Sequence, residues 1–338
     1  MKQPVFIIAE AGVNHNGDIR LAYALIDAAK QAGVDAIKFQ TFKTEKIVTR
    51  SADTAEYQKN NSGKNETQFD LIKKLELSYP QFEELHRYCQ QLGLCFLSTP
   101  DEPESLDFLV DKLDIPVIKI GSGEINNYPY LRQIAAKNRP MILSTGMSTL
   151  VEVEKAVKTI QAISNAPLSL LHCTTNYPCP MDQVNLLAML TMKREFNLPI
   201  GYSDHTLGIE VPVAATALGA TIIEKHFTLD RTLEGPDHLA SLDPIELKQM
   251  VLAIRNIESA LGTGIKIPNA DEEKNRLIVR KRLIVNKDLQ AGHQLTEHDM
   301  DLKRANSGLT VDCYDTVLGR ILTHSVKADT ALEWKDLS

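Results

Sequence analysis

An α/β architecture is what this 338-residue sequence predicts: a (β/α)8 barrel of the TIM type followed by a small β-rich domain. Two patterns and one omission lead there. Short β-rich runs recur eight times before residue 230, and most of the segments between them carry helical periodicity. Alternation of this kind implies parallel strands joined by right-handed crossovers, and eight units close a barrel. The omission is a Gly-x-Gly-x-x-Gly after the first strand, which an open dinucleotide-binding sheet would need.

The runs are Val5–Ala9, Val34–Gln40, Leu94–Ser98, Val117–Ile120, Met141–Thr145, Leu168–Cys173, Leu198–Tyr202 and Thr221–Phe227. Between them, Ile19–Lys30 places Leu21, Leu25 and Ala28–Ala29 on one face, and Val151–Ile163 does so with Val153, Val157 and Ile160. The long interval from Gln40 to Leu94 includes a polar stretch, Thr41–Thr67, expected as a lid or substrate loop, with a surface insertion as the plainer alternative. After the helix Pro244–Leu261, composition changes across Asn269–Arg282. The last sixty or so residues hold a pseudo-repeat in which Ala291/Ala328, Leu295/Leu332 and Asp299/Asp336 coincide at one offset. The expected domains are residues 1–265 for the barrel, 266–280 for a linker and 281–338 for the tail.

Composition bounds the partners. With 37 basic against 44 acidic residues the net charge is −7, so the chain has no global attraction for nucleic acid or an anionic membrane. No basic cluster with interleaved aromatics is present, and the longest weakly polar stretch, Val211–Ile223, is too short to span a bilayer. The apolar run Val5–Ala9 is stopped by Glu10, unlike a secretory signal. Five cysteines without a Cys-x-x-Cys favour reduced thiols in a cytoplasm; Cys173 and Cys179 have the wrong spacing for a zinc knuckle.

Active sites of such barrels sit at the C-terminal strand ends, and here every end is polar. Lys38 and Lys119, with Ser and Thr hydroxyls and the Gly121-Ser122-Gly123 backbone, suit a receptor for a phosphate and a carboxylate, although Gly-Ser-Gly by itself is equally a structural turn. His205 and His226 close neighbouring strands and either bind a divalent metal or are core histidines bonded to Asp204, Glu224 or backbone. His172 and His15 face the same choice with less support. Glu10, Glu124 and Asp237 accept hydroxyls of a polyol, act in proton transfer, or are simply solvated or salt-bridged acids.

Several segments in register resemble the sialic acid synthase family. They are Ile8-Ala9-Glu10-Ala11-Gly12-Val13-Asn14-His15-Asn16-Gly17, Ile37-Lys38-Phe39-Gln40-Thr41, Lys119-Ile120-Gly121-Ser122-Gly123-Glu124, Leu143-Ser144-Thr145-Gly146-Met147, Ser203-Asp204-His205-Thr206 and Glu224-Lys225-His226-Phe227-Thr228. The tail resembles the antifreeze-like SAF domain of those enzymes. The resemblance implies condensation of phosphoenolpyruvate with an N-acylated mannosamine-type aldose, giving a nine-carbon 2-keto-3-deoxy acid and phosphate. It implies that Lys38, Thr99, Lys119, Ser122, Ser144, Thr175 and Ser203 hold phosphoenolpyruvate. His205 and His226 would ligate Mn²⁺ or Mg²⁺, and Glu10, Gln40, Asn65, Glu124, Tyr177 and Asp237 would contact the sugar. It further implies a domain-swapped homodimer in which Arg304 caps the N-acyl group over the partner's barrel. Glu124 is the candidate for proton handling.

Two departures stand out. Thr175, within Thr174-Thr175-Asn176-Tyr177, puts a hydroxyl where some relatives carry an amide, and Ala305-Asn306 replaces the Pro-Gly that often follows the capping arginine. Glu56-Tyr57-Gln58 and Lys74-Leu75-Glu76-Leu77-Ser78 resemble the bacterial legionaminate-type branch, so the aldose is open between N-acetylmannosamine and 2,4-diacetamido-2,4,6-trideoxymannose. Three rival readings fit the residues less well. A Schiff-base aldolase also places a lysine at a strand end, but leaves the paired histidines unused. Another phosphoenolpyruvate-dependent 3-deoxy-sugar acid synthase would need more arginines at the rim for its substrate phosphate. A glycan- or ice-binding protein leaves the polar barrel unexplained.

Overall fold

The structure is a computed structural model that describes residues 3–53 and 67–338. These fall into two compact units, residues 1–262 and 263–338. In the first, β1 (Phe6–Gly12), β2 (Ala36–Thr41), β3 (Cys95–Pro100), β4 (Ile118–Ile120), β5 (Met141–Ser144), β6 (Leu168–His172), β7 (Ile200–Asp204) and β8 (Ile222–His226) form one parallel sheet. Its hydrogen-bonded order is β3-β2-β1-β8-β7-β6-β5-β4, and the end strands β3 and β4 lie against each other, so the sheet closes as a barrel. All eight expected strands are present. β1 runs three residues past the expected end, because Lys38 lies 2.7 Å from the Glu10 carboxylate and offsets the charge that had argued for a stop.

Crossovers follow each strand. α1 (Ile19–Ala32) begins where the Asp18 carboxylate accepts the Arg20 N–H and ends where Gly33 takes the left-handed conformation, φ 82°. α2 (Thr44–Ile47), α3 (Gln68–Leu75) and α4 (Tyr79–Leu92) occupy the long interval between β2 and β3. Residues 54–66, which include part of the expected lid and Asn65, lie outside the described residues. The later crossovers carry α5 (Pro103–Asp107), α6 (Tyr128–Ala136), α7 (Leu150–Gln161), α8 (Ala188–Phe196) and α9 (Glu210–Ala217). α10 (Pro244–Leu261) is opened by a reciprocal cap between Asp243 and Glu246. Among the described residues no helix is long and apolar enough to cross a membrane.

Because side chains alternate along a strand, the barrel interior is layered. Ile8, Ala36, Leu97, Ile142, Leu171 and Ile222, from six different strands, form one buried apolar cluster. Two residues further along, the same strands carry Glu10, Lys38, Thr99, Ser144, Cys173 and Glu224, all buried. The apolar layer therefore holds the polar one up toward the open end. Gly201 on β7 makes room for the lower layer: a Cβ there would stand 2.3 Å from the Ile222 carbonyl oxygen and 2.6 Å from Leu171 Cδ2.

The second unit contains β9 (Lys281–Val285), flanked antiparallel by β10 (Met300–Arg304) and β11 (Thr330–Ala331). The pseudo-repeat is structural. Asp299 accepts the Thr296 N–H at 2.8 Å and Asp336 accepts the Glu333 N–H at 2.7 Å, each inside a short 3₁₀ turn that follows a buried leucine, Leu295 or Leu332. Leu289 and Val326 bond reciprocally across the two halves. The stretch expected as a linker holds a helix, α11 (Ala270–Val279). Its capping box between Asn269 and Glu272 outweighs a sequence with little apolar periodicity.

The loop after β8 is tied back to the loop after β1 through His238. Its Nδ1 is 2.8 Å from the Thr228 hydroxyl and its Nε2 is 3.1 Å from Asn16 Oδ1. The residue is fully buried, and that burial lowers its pKa to about 4. A depressed pKa contributes stability that is present above the ordinary value of 6.5 and lost as pH falls through 4. His238→Gln, which keeps two hydrogen-bonding ends, is expected to remove up to about 3 kcal/mol of acid lability in that window. Urea titrations at pH 7 and pH 4 check this; an undiminished pH dependence would show that the imidazole is not held neutral. Gly201→Ala should cost on the order of 3 kcal/mol by overpacking, and an unchanged denaturation midpoint would mean that β7 can move off β8 freely.

Candidate active site

The polar layer is a closed network. Lys38 Nζ lies 2.7 Å from Glu10 Oε1 and 3.8 Å from Glu224 Oε2, and donates to the Thr99 hydroxyl at 3.1 Å. Lys119 Nζ donates to the Ser144 hydroxyl at 2.8 Å and lies 3.5 Å from Glu224 Oε1. The same Glu224 oxygen accepts the Ser203 hydroxyl at 3.0 Å. Seven strands thus contribute to one cluster, and both lysine side chains are 3% exposed.

Burial acts on the four charges unequally. It pushes Glu10 up to about 8, against the pull of Lys38, whereas Glu224 is held below the ordinary carboxylate range because Lys119, Lys38 and Ser203 outweigh its desolvation. Lys38 is raised despite burial by the charges of Glu10 and Glu224, and Lys119 is lowered by burial. Two lysines and two carboxylates thus share this floor, with Glu10 the more readily protonated of the two acids. Glu10 Oε2 and Glu224 Oε2 are buried without hydrogen-bond partners.

Beside this network, the Ser122 hydroxyl accepts the Gly146 N–H at 2.9 Å and lies 3.2 Å from Cys173 Sγ. A Cβ on Gly146 would stand 2.2 Å from the Thr175 hydroxyl, so glycine is required for this closeness. The expected phosphate-side residues Lys38, Thr99, Lys119, Ser122, Ser144, Thr175 and Ser203 therefore converge.

His205 and His226 lie one layer higher, with ring centroids 5.5 Å apart. His205 Nδ1 is 2.7 Å from the Thr174 carbonyl oxygen, which fixes this nitrogen as the donor and leaves Nε2 with a lone pair. Burial lowers its pKa to about 4. His226 is lowered further by burial and by neighbouring cations, and its Nδ1 is buried without a hydrogen-bond partner, 3.9 Å from Asp237 Oδ2. Two neutral imidazoles, one with an orphaned ring nitrogen, are a donor set that fits a divalent ion with open positions. Among the described residues no group of three or more His, Cys, Asp or Glu side chains is arranged to hold a metal. His172 instead bonds the Val184 carbonyl oxygen through Nε2 at 3.0 Å, as a core histidine does, and Cys173 and Cys179 are free thiols. His15 is buried in the turn after β1, its Nδ1 accepting the Gly17 N–H.

A cavity of about 170 Å³ opens beside these rings. Its lining joins Gln40, Asp101, Tyr177, His226, Pro236 and Asp237 to Val13, Phe42, Ile47, Leu71, Ile72 and Leu75. Tyr177 packs on His205 with centroids 4.1 Å apart. Desolvation pushes Asp237 up to about 6. Glu124 is raised by burial and accepts the Asn127 amide at 2.7 Å. Asp101, a residue the sequence reading passed over, is pushed up to about 7 by burial and by the charge of Glu124. Its signal was its place after Thr99-Pro100 at a strand end. Ile47 and Ile72 carried no such signal, because they sit on separate helices. Arg304 ends β10 in the second unit, opposite Lys281 on β9.

Comparison with known proteins agrees with this arrangement. Residues 25–266 match the NeuB family and residues 280–338 match the SAF domain. The N,N'-diacetyllegionaminic acid synthase of Legionella pneumophila is 47% identical over 98% of this chain and 94% of its own length. The enzyme of the same name from Campylobacter jejuni is 46% identical over 96% and 97%. The crystal structure of N-acetylneuraminic acid (sialic acid) synthetase from Leptospira borgpetersenii, in complex with citrate, superposes with a TM-score of 0.71 at 38% identity, covering 81% of this chain and 90% of that one. With its catalytic barrel and its tail both matched, this chain belongs to the NeuB family and carries a C-terminal SAF domain.

Proposed function

We propose that this chain is a nonulosonic acid synthase. It condenses phosphoenolpyruvate, 2,4-diacetamido-2,4,6-trideoxymannose and water to N,N'-diacetyllegionaminate and inorganic phosphate. The observation that carries the reaction is the buried Lys38–Lys119–Glu224 network under two neutral imidazoles. The near-full-length identity to two legionaminate-branch synthases supports this aldose over N-acetylmannosamine.

In this reading Lys38 and Lys119 offset the phosphate and carboxylate charges, and the hydroxyls of Thr99, Ser122, Ser144, Thr175 and Ser203 orient them. His205 and His226 would hold a divalent ion, Mn²⁺ or Mg²⁺, which would supply Lewis acidity for carbonyl activation. Phosphoenolpyruvate C3 then bonds to the aldehyde carbon, water adds at C2, and the C2–O bond to phosphate breaks. Glu10, Gln40, Glu124, Tyr177 and Asp237 hold the hydroxyls and amides of the sugar, and Glu124, raised and beside Asp101, handles the proton. Asn65 is assigned to the sugar from sequence alone.

The chain acts in the cytoplasm as a domain-swapped homodimer, with Arg304 of one subunit capping the N-acyl group in the other. Support for the arginine is local: the cross-strand pair Arg304 and Lys281 sets like charges side by side, a cost that a ligand acceptor relieves.

Phosphate release from phosphoenolpyruvate with Mn²⁺ and the diacetamido sugar is expected, and EDTA should abolish it. Release that needs no metal, or none with any aldose, would overturn the reading. His226→Ala should lose at least about 100-fold in kcat, and full metal-dependent activity in that variant would remove the assigned metal role. Arg304→Ala should raise KM for the aldose roughly tenfold without moving KM for phosphoenolpyruvate. Equal effects on both would place Arg304 elsewhere.

A further inference from the structure

The cavity beside the histidines has a second face that carbon–carbon bond formation does not require. Val13, Phe42 and Leu75 are buried and form a small apolar cluster of their own, against which Ile47 and Ile72 pack while remaining half-buried. Both isoleucines line the cavity. The wall is fastened at its ends: Glu76 accepts the Thr44 N–H at 3.0 Å and the Thr44 hydroxyl at 2.7 Å, and Lys73 bridges Glu45 and Glu76 at 3.0 Å each. These contacts hold α2 to α3, so the surface that Ile47 and Ile72 present has a fixed shape.

Asp101 and Asp237 line the same cavity. A ligand that fills it needs hydrogen-bond donors for the acids and carbon for the isoleucines. An aldose hydroxylated along its whole length would place an O–H against Ile47 and Ile72, where it loses water and gains no partner.

We propose, resting on the synthase reading above, that Ile47 and Ile72 are specificity-determining residues. They form a subsite for the methyl groups at the far end of the aldose, the deoxygenated C6 and the neighbouring N-acyl methyl, and they select a 6-deoxy sugar over its 6-hydroxy counterpart. An apolar pocket rejects an added hydroxyl by at most about 10²-fold, which sets the scale of the selection.

The test uses the full-length protein with Mn²⁺ and saturating phosphoenolpyruvate. It measures kcat/KM for 2,4-diacetamido-2,4,6-trideoxymannose and for 2,4-diacetamido-2,4-dideoxymannose, which differs by one hydroxyl. Wild type is expected to favour the 6-deoxy sugar by roughly 10- to 100-fold. Ile72→Ser and Ile47→Ser should each lower that ratio about tenfold, through KM for the aldose and not KM for phosphoenolpyruvate, and Ile72→Val should keep most of it. Thermal melting of Ile72→Ser checks that the fold persists; if that variant is unfolded, the ratios of Ile72→Val and Ile47→Ser decide. Wild type turning over both sugars equally, or serine variants losing equally on both, overturns the subsite while leaving the synthase reading intact. Absence of phosphate release with every aldose overturns the synthase reading, and the subsite with it.

Discussion

Everything at the mouth of this barrel depends on burying charge without leaving it unpaired. Two lysines and two glutamates sit inside a closed sheet, each almost fully removed from water. Such a group, if isolated, would neutralise or unfold the site. Here the four compensate one another only because their strands lie at the right places around the ring. Glu10 faces Lys38 across adjacent strands, and Glu224 reaches both Lys38 and Lys119 from β8. The apolar layer beneath sets the height of this network, and Gly201 gives that layer space to close. Removal of one partner would strand the others, so fold and chemistry share one constraint.

The site is built in tiers with opposite electrostatic character. The lower tier sets two lysines against Glu10, which burial raises, and Glu224, which the lysines hold down. The tier above keeps His205 and His226 neutral by the same desolvation. Burial therefore does two jobs a few ångströms apart: below, it strengthens attraction for an anion, and above, it preserves lone pairs for a cation. On the proposed reaction this places the anionic enol ester under the carbonyl it must attack, before any residue moves.

Around this centre the cavity draws its polar and apolar lining mostly from different stretches of chain. Gln40, Asp101 and Asp237 come from strand ends and the loop after β8, with Tyr177 from the loop after β6. Most of the apolar lining comes from the interval between β2 and β3, where α2 and α3 are pinned together by Glu76 and Lys73, with Val13 added from the loop after β1. Division of labour of this kind lets the substrate end of the pocket vary without disturbing the charged floor, because the two share no side chain.

Much of this was written locally. Eight β-rich runs, their alternation with helices and the polar residue ending each strand gave the barrel, and the period of two placed Lys38 and Gln40 on one side of β2. The repeat spacing of Leu295/Leu332 and Asp299/Asp336 foretold two like turns, since a capping aspartate acts within three residues of its partner. Three things were beyond local reading. The full length of β1 required knowing that Lys38 would offset Glu10, an interaction between strands. The state of each ionisable group depended on how far neighbours from other strands exclude water, so Glu10 and Glu224, both plain glutamates in sequence, shift in opposite directions. The apolar wall of Ile47 and Ile72 exists only once two short helices are brought side by side. Sequence determined which chemistry each strand end carries, because periodicity is a property of the local backbone. Tertiary structure alone decided which of those groups meet, what charge they bear and what shape lies opposite, because these are set by distances between residues far apart in the chain.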